Sequence, residues 1–451
     1  MRVRPRLLCC VLSLVLAGMA PRLAWSAEDL LSLYREAIAT SATYLAAQAG
    51  AQAEQEGENI ARGQLLPSLS ISGSYGKNNT ERQVGSEPSQ DFVYNSYVYN
   101  LNLRQPLFRK YNWAQYAQSK ELGAAAGQRL YQAGNDVAVR LVQTYLELLF
   151  SEDQLRLLAA QKSAITGQKL AAEKAVAAGS GTRIDVDEAN ARYDMVLAQE
   201  LEAENLQLHY RRLLGAMVNR EVGQIAGLNG EKFRLTGPLP GDINSWLAAA
   251  EESNAEYQTI LAQVKAAEQE VEKARAGHYP TLDFVAAAGR SDNDSVTTLN
   301  RLGDTKYTTA SYGVQVNVPL FAGGQVNATV RQAQAKLEQI RQQGEDVRRN
   351  LGVQTRREFD NVVQGIAKIR ALERAEASGR QSVLSTKKGV QAGVRSTLDV
   401  LQVEQQYFTV LRDLAQARYA YLIAGFKLKG LVGVLSEGDI AGLDAQLATP
   451  R

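Results

Sequence analysis

The nine residues AGSGTRIDV, Ala178–Val186, come back as AGVRSTLDV, Ala392–Val400, and this repetition decides how the chain is read. Gly179 pairs with Gly393, Asp185 with Asp399, Val186 with Val400 and Tyr193 with Tyr407, all at an offset of 214. Upstream, Pro67 in LLPSLSISGSYG answers Pro280 in HYPTLDFVAAAG, and QPLF ending at Phe108 answers VPLF ending at Phe321, both at 213. Landmarks that keep one spacing to within a residue mark a duplicated unit.

Each unit reads as helix, strand, polar loop, strand, very long helix, tight turn, helix. The first strand alternates, with Leu69, Ile71, Gly73 and Tyr75 facing one way and Ser68, Ser70, Ser72 and Ser74 the other. In the next, Tyr97, Tyr99, Leu101 and Leu103 oppose Val98, Asn100, Asn102 and Arg104. In the second unit Tyr312, Val314, Val316 and Val318 oppose Gly313, Gln315 and Asn317, while the strand from Pro280 is less regular. An apolar face with tyrosines near its ends and a small polar face suits a membrane-spanning barrel strand. A half-buried sheet of a soluble domain is the competing reading of any one such strand. The polar segments KNNTERQVGSEPSQD and RSDNDSVTTLNRLGDTK read as outward loops.

About 70 residues without proline separate Phe108 from Gly179, and Phe321 from Gly393. A helix of that length spans roughly 100 Å, too long for a globular core, and implies a coiled-coil or tubular assembly. Leu401, Phe408, Ala415 and Leu422 then recur every seven residues, a seam for a neighbouring helix.

The N-terminus, MRVRPRLLCCVLSLVLAGMAPRLAWSA, has basic residues, an apolar run from Leu7 to Ala20, and small residues Ala24, Ser26 and Ala27 at signal-peptidase spacing. Both cysteines, Cys9 and Cys10, fall in that leader, so the mature chain is expected to lack thiol, disulfide and acyl anchor. Loss of four arginines with the leader leaves 46 basic residues against 48 acidic ones, which argues for no nucleic-acid partner. No later apolar run is long enough to cross a membrane as a helix. If the mature chain spans a membrane, it must therefore do so with strands, which have to close because an open edge strands backbone polar groups in hydrocarbon. Four strands cannot close, since small barrels begin at about eight. A dimer would supply eight and a trimer twelve, and an aqueous lumen favours twelve.

The ordered set GQLLPSLSISGSYG, NVPLFAGGQVNATVRQAQAKL, the two turns AGSGTRIDVDEANARYDMV and AGVRSTLDVLQVEQQYFTV, and ARYAYLIAGFKLKGLVG resembles the TolC family of outer-membrane efflux and type I secretion channels. The resemblance covers essentially the whole mature chain. It implies a mostly α protein with a transmembrane β portion. Three copies would share a twelve-stranded barrel in the outer membrane of a Gram-negative bacterium, continued by a long α-helical barrel through the periplasm.

On that reading residues 1–26 are a signal peptide, 27–220 a first repeat, 221–242 an equatorial linker, 243–432 a second repeat and 433–451 an equatorial tail. Strands are expected at about 67–77, 92–106, 280–290 and 307–319. Long helices are expected at 109–178 and 324–392, with return helices at 183–220 and 396–432.

The resemblance also implies partners: a homotrimer, outer-membrane lipid, a periplasmic adaptor (membrane fusion) protein and an inner-membrane pump of ABC or RND type. It places both turns at the periplasmic tip, where Gly179, Gly181, Gly393 and Thr182 would form the reversals and meet the adaptor. The glycines also suit plain sharp turns through left-handed backbone angles, and both readings can hold together. Asp185 and Asp399 would form rings of like charge around a narrow aperture that favours cations, or else are first-turn carboxylates stabilising helix N-termini.

Arg395 stands where the family places an arginine that links neighbouring coils, with Asp185 as its carboxylate partner. Val390 replaces an expected gate tyrosine and Gln402 a second ring aspartate. Glu188, the repeat-mate of Gln402, could restore charge from a different helix. His209 and His278 are too few for a histidine-rich metal site, and no nucleophile–base arrangement is present, so no enzyme activity and no cofactor are expected. A periplasmic coiled-coil adaptor or scaffold with a soluble β domain is the alternative. Exported cargo is protein, small toxic compounds or both. The long N-terminal resemblance and missing lipid anchor incline toward protein secretion.

Overall fold

The computed structural model describes residues 28–296 and 304–448; the leader read over 1–26 lies outside them. The first unit comprises α1 (Leu30–Thr40), α2 (Ala42–Gly63), β1 (Ser68–Arg82), β2 (Gln90–Phe108), α3 (Lys110–Ala177) and α4 (Arg183–Val218). A two-residue strand, β3 (Gly227–Leu228), precedes the second unit. That unit comprises α5 (Ile243–Ser253), α6 (Ala255–Arg275), β4 (Thr281–Val296), β5 (Thr305–Asn317), α7 (Gln325–Gln391) and α8 (Thr397–Val432). The chain then forms α9 (Glu437–Asp444) and β6 (Leu447–Ala448).

Where the sequence predicts one helix at the start of each unit, two stand end to end. The break falls at Ser41 and at Asn254, 213 residues apart, each in extended backbone. Each caps the following helix: the Ser41 hydroxyl accepts from the Tyr44 N–H, and Asn254 Oδ1 accepts from the Tyr257 N–H at 2.8 Å. A capping side chain in mid-tract ends one helix and starts the next.

The four long strands form one antiparallel sheet in the order β1-β2-β4-β5. Register sorts its two faces. Leu69, Leu103, Ala286 and Tyr312 stand in one row across the sheet, and Ile71, Leu101, Ala288 and Ala310 in another. The opposite face carries Ser70, Asn102, Ala287 and Ser311, then Ser72, Asn100, Gly289 and Thr309. Within one chain the apolar face lies bare, with Ile71 80% and Tyr312 86% exposed.

It runs from the row of Leu282, Phe108 and Val316 to that of Asp292, Tyr97 and Tyr75, whose two tyrosine rings lie 5.0 Å apart. Ten residues of β4 are about 34 Å of strand, or roughly 25 Å of height at a 40° tilt, the height of a barrel's apolar band. Arg290 sits on this face near the upper rim, paired with Asp292 at 3.0 Å.

The hairpins continue past that rim. β1 and β2 pair out to Arg82 and Gln90, so most of the stretch read as a polar loop is strand and the connection shrinks to residues 83–89. Likewise β4 reaches Val296, and residues 297–303 lie outside the described ones. The ladder needs backbone groups, not apolar side chains, so loss of the apolar pattern does not end a strand.

At the other end the sheet is fastened to the helices. Asp283, with its side chain 3% exposed, receives Arg104 Nη2 at 2.7 Å from β2. Arg109, at the N-cap position of α3, holds it by a two-pronged contact at 2.7 and 2.6 Å. Strands β2 and β4 and the start of α3 meet on one carboxylate.

Mid-body, a core gathers both units. Leu33, Leu141, Tyr145, Leu214, Leu428 and Ile440 are among its fully buried members. The Tyr145 hydroxyl donates to the Ala226 carbonyl at 2.8 Å. β3 pairs with β6, and Asp444 accepts from the Leu30 N–H at 2.9 Å, tying the linker and tail into a belt. Among the described residues no helix is long and apolar enough to cross a membrane.

Candidate functional site

The far end of the helical body is made by the two repeated turns. Each long helix ends in the same six-residue pattern. The Ser180 N–H donates to the Ala175 carbonyl and the Gly179 N–H to that of Val176; Val394 to Gly389 and Gly393 to Val390 repeat the pair. Gly179 and Gly393 take φ of 71° and 72°, which any side chain would strain, and they close a Schellman turn. Val390 thus contributes its carbonyl to the cap.

Gly181 differs from the expectation of a left-handed residue, since it is absent from the positive-φ glycines. It is small because of crowding: a Cβ there would lie 2.8 Å from that of Ala175. The second turn solves the same crowding in reverse. Arg395, the repeat-mate of Gly181, carries a side chain, and Gly389, the mate of Ala175, has none; a Cβ on Gly389 would lie 2.9 Å from Arg395 Cγ. Gly181→Ala should therefore loosen the first turn by about 1–3 kcal/mol, read as at least fivefold faster trypsin cleavage at Arg183. Adding Ala175→Gly should return the rate most of the way to wild type. A single variant cleaved at the wild-type rate would refute the crowding.

Both aspartates begin as caps. Asp185 Oδ2 accepts from the Thr182 N–H at 3.2 Å and hydroxyl at 2.6 Å, and the Thr182 hydroxyl accepts from the Asp185 N–H. Asp399 Oδ2 accepts from the Ser396 N–H at 2.9 Å and Ser396 Oγ accepts from the Asp399 N–H at 3.1 Å. These are complete capping boxes. Bonds from the Ser396 backbone and hydroxyl, with the nearby Arg395 charge, hold the Asp399 carboxyl below its ordinary range. Its capping contribution is thus present at neutral pH and lost as pH falls through that lowered value.

Arg395 is exposed, and among the described residues it forms no ion pair within the chain; its charge acts on Asp399. Glu188 pairs with Arg192 at 2.7 Å, and Arg192 reaches Gln405 of α8 at 2.9 Å. Gln402 is exposed on α8.

Sequence reasoning passed over Glu404. It is 6% exposed, accepts from Gln168 Nε2 of α3 at 2.6 Å and pairs with Lys387 of α7 at 2.6 Å. One carboxylate on α8 therefore binds the two long helices together above the turns, beside the small core of Leu158, Ile165, Val196 and Leu401. The signal was an acid three residues after Leu401, where a heptad seam calls for an apolar side chain. No cluster of potential metal ligands occurs among the described residues.

The sequence profile described as "Outer membrane efflux protein" matches residues 33–220 and again 246–434, once per structural unit. The chain belongs to the outer membrane efflux protein family. It is accordingly an outer-membrane exit duct whose helical body extends into the periplasm. "Proteases secretion protein PrtF" of Dickeya chrysanthemi is 33% identical over 99% of this chain and 95% of its own. "Outer membrane protein TolC" of Escherichia coli (strain K12) is 30% identical over 94% and 86%. Among solved structures, the Campylobacter jejuni CmeC outer membrane channel superposes with a TM-score of 0.78 at 16% identity, covering 93% of this chain and 90% of that one. The duplication, the mostly helical body and the four-stranded sheet are thus family features. A soluble adaptor with a β domain is not favoured.

Proposed function

We propose that three copies of the chain build one duct. The observation that carries this is the sheet: it has an apolar face of membrane height and two edges, β1 and β5, each with a single neighbour. In hydrocarbon those edges cost several kcal/mol per unpaired backbone group. Pairing β5 of one copy with β1 of the next removes all of them at twelve strands, lined by serine, asparagine, threonine and glycine. The bare apolar face then meets outer-membrane lipid, and the helices continue as a periplasmic tube.

In that assembly both turns lie at the periplasmic tip, where a periplasmic adaptor would dock against Gly179, Gly181, Thr182 and Gly393. An inner-membrane pump of the ABC or RND class would supply the energy. Asp185 and Asp399 would recur three times each around the aperture and favour cations, while also capping their helices. Arg395, with no partner ion among the described residues of its own chain, would reach a carboxylate such as Asp185 across the join, with Glu188 and Gln402 nearby. Single exposed pairs contribute about 0–1 kcal/mol, a strength suited to a closure that an adaptor must release.

Purified protein should run as a heat-modifiable trimer and form cation-preferring pores in planar bilayers. Arg395→Ala should raise the conductance of the resting pore severalfold; an unchanged resting pore would remove Arg395 from the closure, and a detergent-free monomer would remove the duct. For cargo we propose polypeptide, supported by the likeness to a protease secretion protein along nearly the whole chain. A deletion strain should then lose a protein from its medium. Drug sensitivity with an unchanged medium would assign small-molecule efflux.

A further inference from the structure

We propose that the copies recognise one another through a charged seam, the cationic α7 of one chain against the acidic α2 and α4 of the next. This rests on the trimeric reading above and names what aligns the join. Helix packing within the chain runs α2–α3–α6–α7 in the half near the sheet and α4–α3–α8–α7 in the half near the turns. α7 is thus one flank along its whole length, and α2 and α4 share the other.

These flanks differ in charge. α7 carries thirteen Lys and Arg against seven Asp and Glu. α4 carries seven acids against four bases, and α2 three against one. Heights match as well as signs. Counted back from the end of α7, Lys388, Arg374 and Arg370 lie three, 17 and 21 residues from the turn. Counted forward from the start of α4, Asp187, Glu202 and Glu204 lie four, 19 and 21 residues from the equivalent turn.

At 1.5 Å per residue the second and third members of each set sit roughly 25–32 Å from the turns. Near the sheet, Arg331 and Lys336 lie six and 11 residues into α7, and Glu56 and Glu54 seven and nine residues from the end of α2. All ten side chains are exposed, and among the described residues none is in an ion pair within its own chain. Closing the ring of copies brings the flanks together and gives each cation an acid at its own level. A seam of this kind steers association and rejects misaligned partners more than it adds raw affinity.

Charge reversal tests this. Arg370→Glu with Arg374→Glu, or Glu202→Lys with Glu204→Lys, should slow trimer formation from refolded monomer at least tenfold at low salt. The fourfold variant, reversed on both flanks, should recover the wild-type rate. Differently tagged wild-type and fourfold-reversed chains, refolded together, should form separate trimers. The seam is overturned if the double variants assemble at the wild-type rate, if the fourfold variant gives no recovery, or if the two tagged forms mix freely. A double variant that loses helix content and stays unrecovered in the fourfold form also counts against it. A wild-type chain that never forms trimers would instead sink the duct reading, before any variant is compared.

Discussion

Asp283→Ala should lower the melting temperature of the assembled protein by roughly 3 °C. The carboxylate is buried and takes Arg104 and Arg109 together, so its removal leaves two guanidinium groups crowded at the foot of the sheet with no counter-charge. Breaking a buried pair costs about 3–5 kcal/mol. The lower figure applies here, because Arg104 is half-exposed and can find water. A chain of 451 residues shifts by about 1 °C per kcal/mol, and the stated fall follows. Asp283→Asn keeps the shape and one acceptor oxygen and should lose about half as much. A melting curve for Asp283→Ala that overlays the wild type would show that the sheet-to-helix junction is held by something else.

The second large effect is expected at Gly433, which ends α8 with φ 72°. A Cβ there would stand 2.3 Å from the carbonyl oxygen of Ser253, the last residue of α5, and 3.0 Å from its carbon. The Gly433 carbonyl also accepts from the Tyr131 hydroxyl at 2.7 Å, so the backbone cannot easily swing aside. Left-handed strain of about 1–2 kcal/mol and overpacking of about 1–3 kcal/mol should together destabilise Gly433→Ala by roughly 3 kcal/mol, measured by urea unfolding.

Its counterpart in the first unit, Asn219, has φ 56° and tolerates a side chain. Gly433→Asn therefore separates the two causes. Asparagine accepts the dihedral but not the collision, so the variant should remain unstable. Wild-type stability of Gly433→Asn would mean that Ser253 yields.

The duplication was legible because it rests on one-dimensional spacing, and the long helices because proline is missing from both tracts. Strand faces were legible from alternation at Leu69–Tyr75 and Tyr97–Leu103. Strand lengths were not, since KNNTER pairs through its backbone and shows no apolar pattern. The Asp283 junction was hidden for another reason. Its partners are 179 and 174 residues away in the chain, and only the strand register brings them together.

Glu404 was visible as an anomaly in a heptad, but its two partners come from helices that sequence cannot align. At the turns, the roles of Thr182 and Asp185 as a capping box follow from their three-residue spacing. The exchange of small and large between Gly181/Ala175 and Arg395/Gly389 needed coordinates, because it is a matter of tenths of an ångström.

The β1–β2 hairpin climbs seven residues past the Tyr75–Tyr97 row before it turns. That is roughly 20 Å of ladder standing clear of the cell surface, built of residues whose side chains the pairing does not specify. Because backbone hydrogen bonds hold this ladder, its outward side chains can be exchanged while the conduit below keeps its shape.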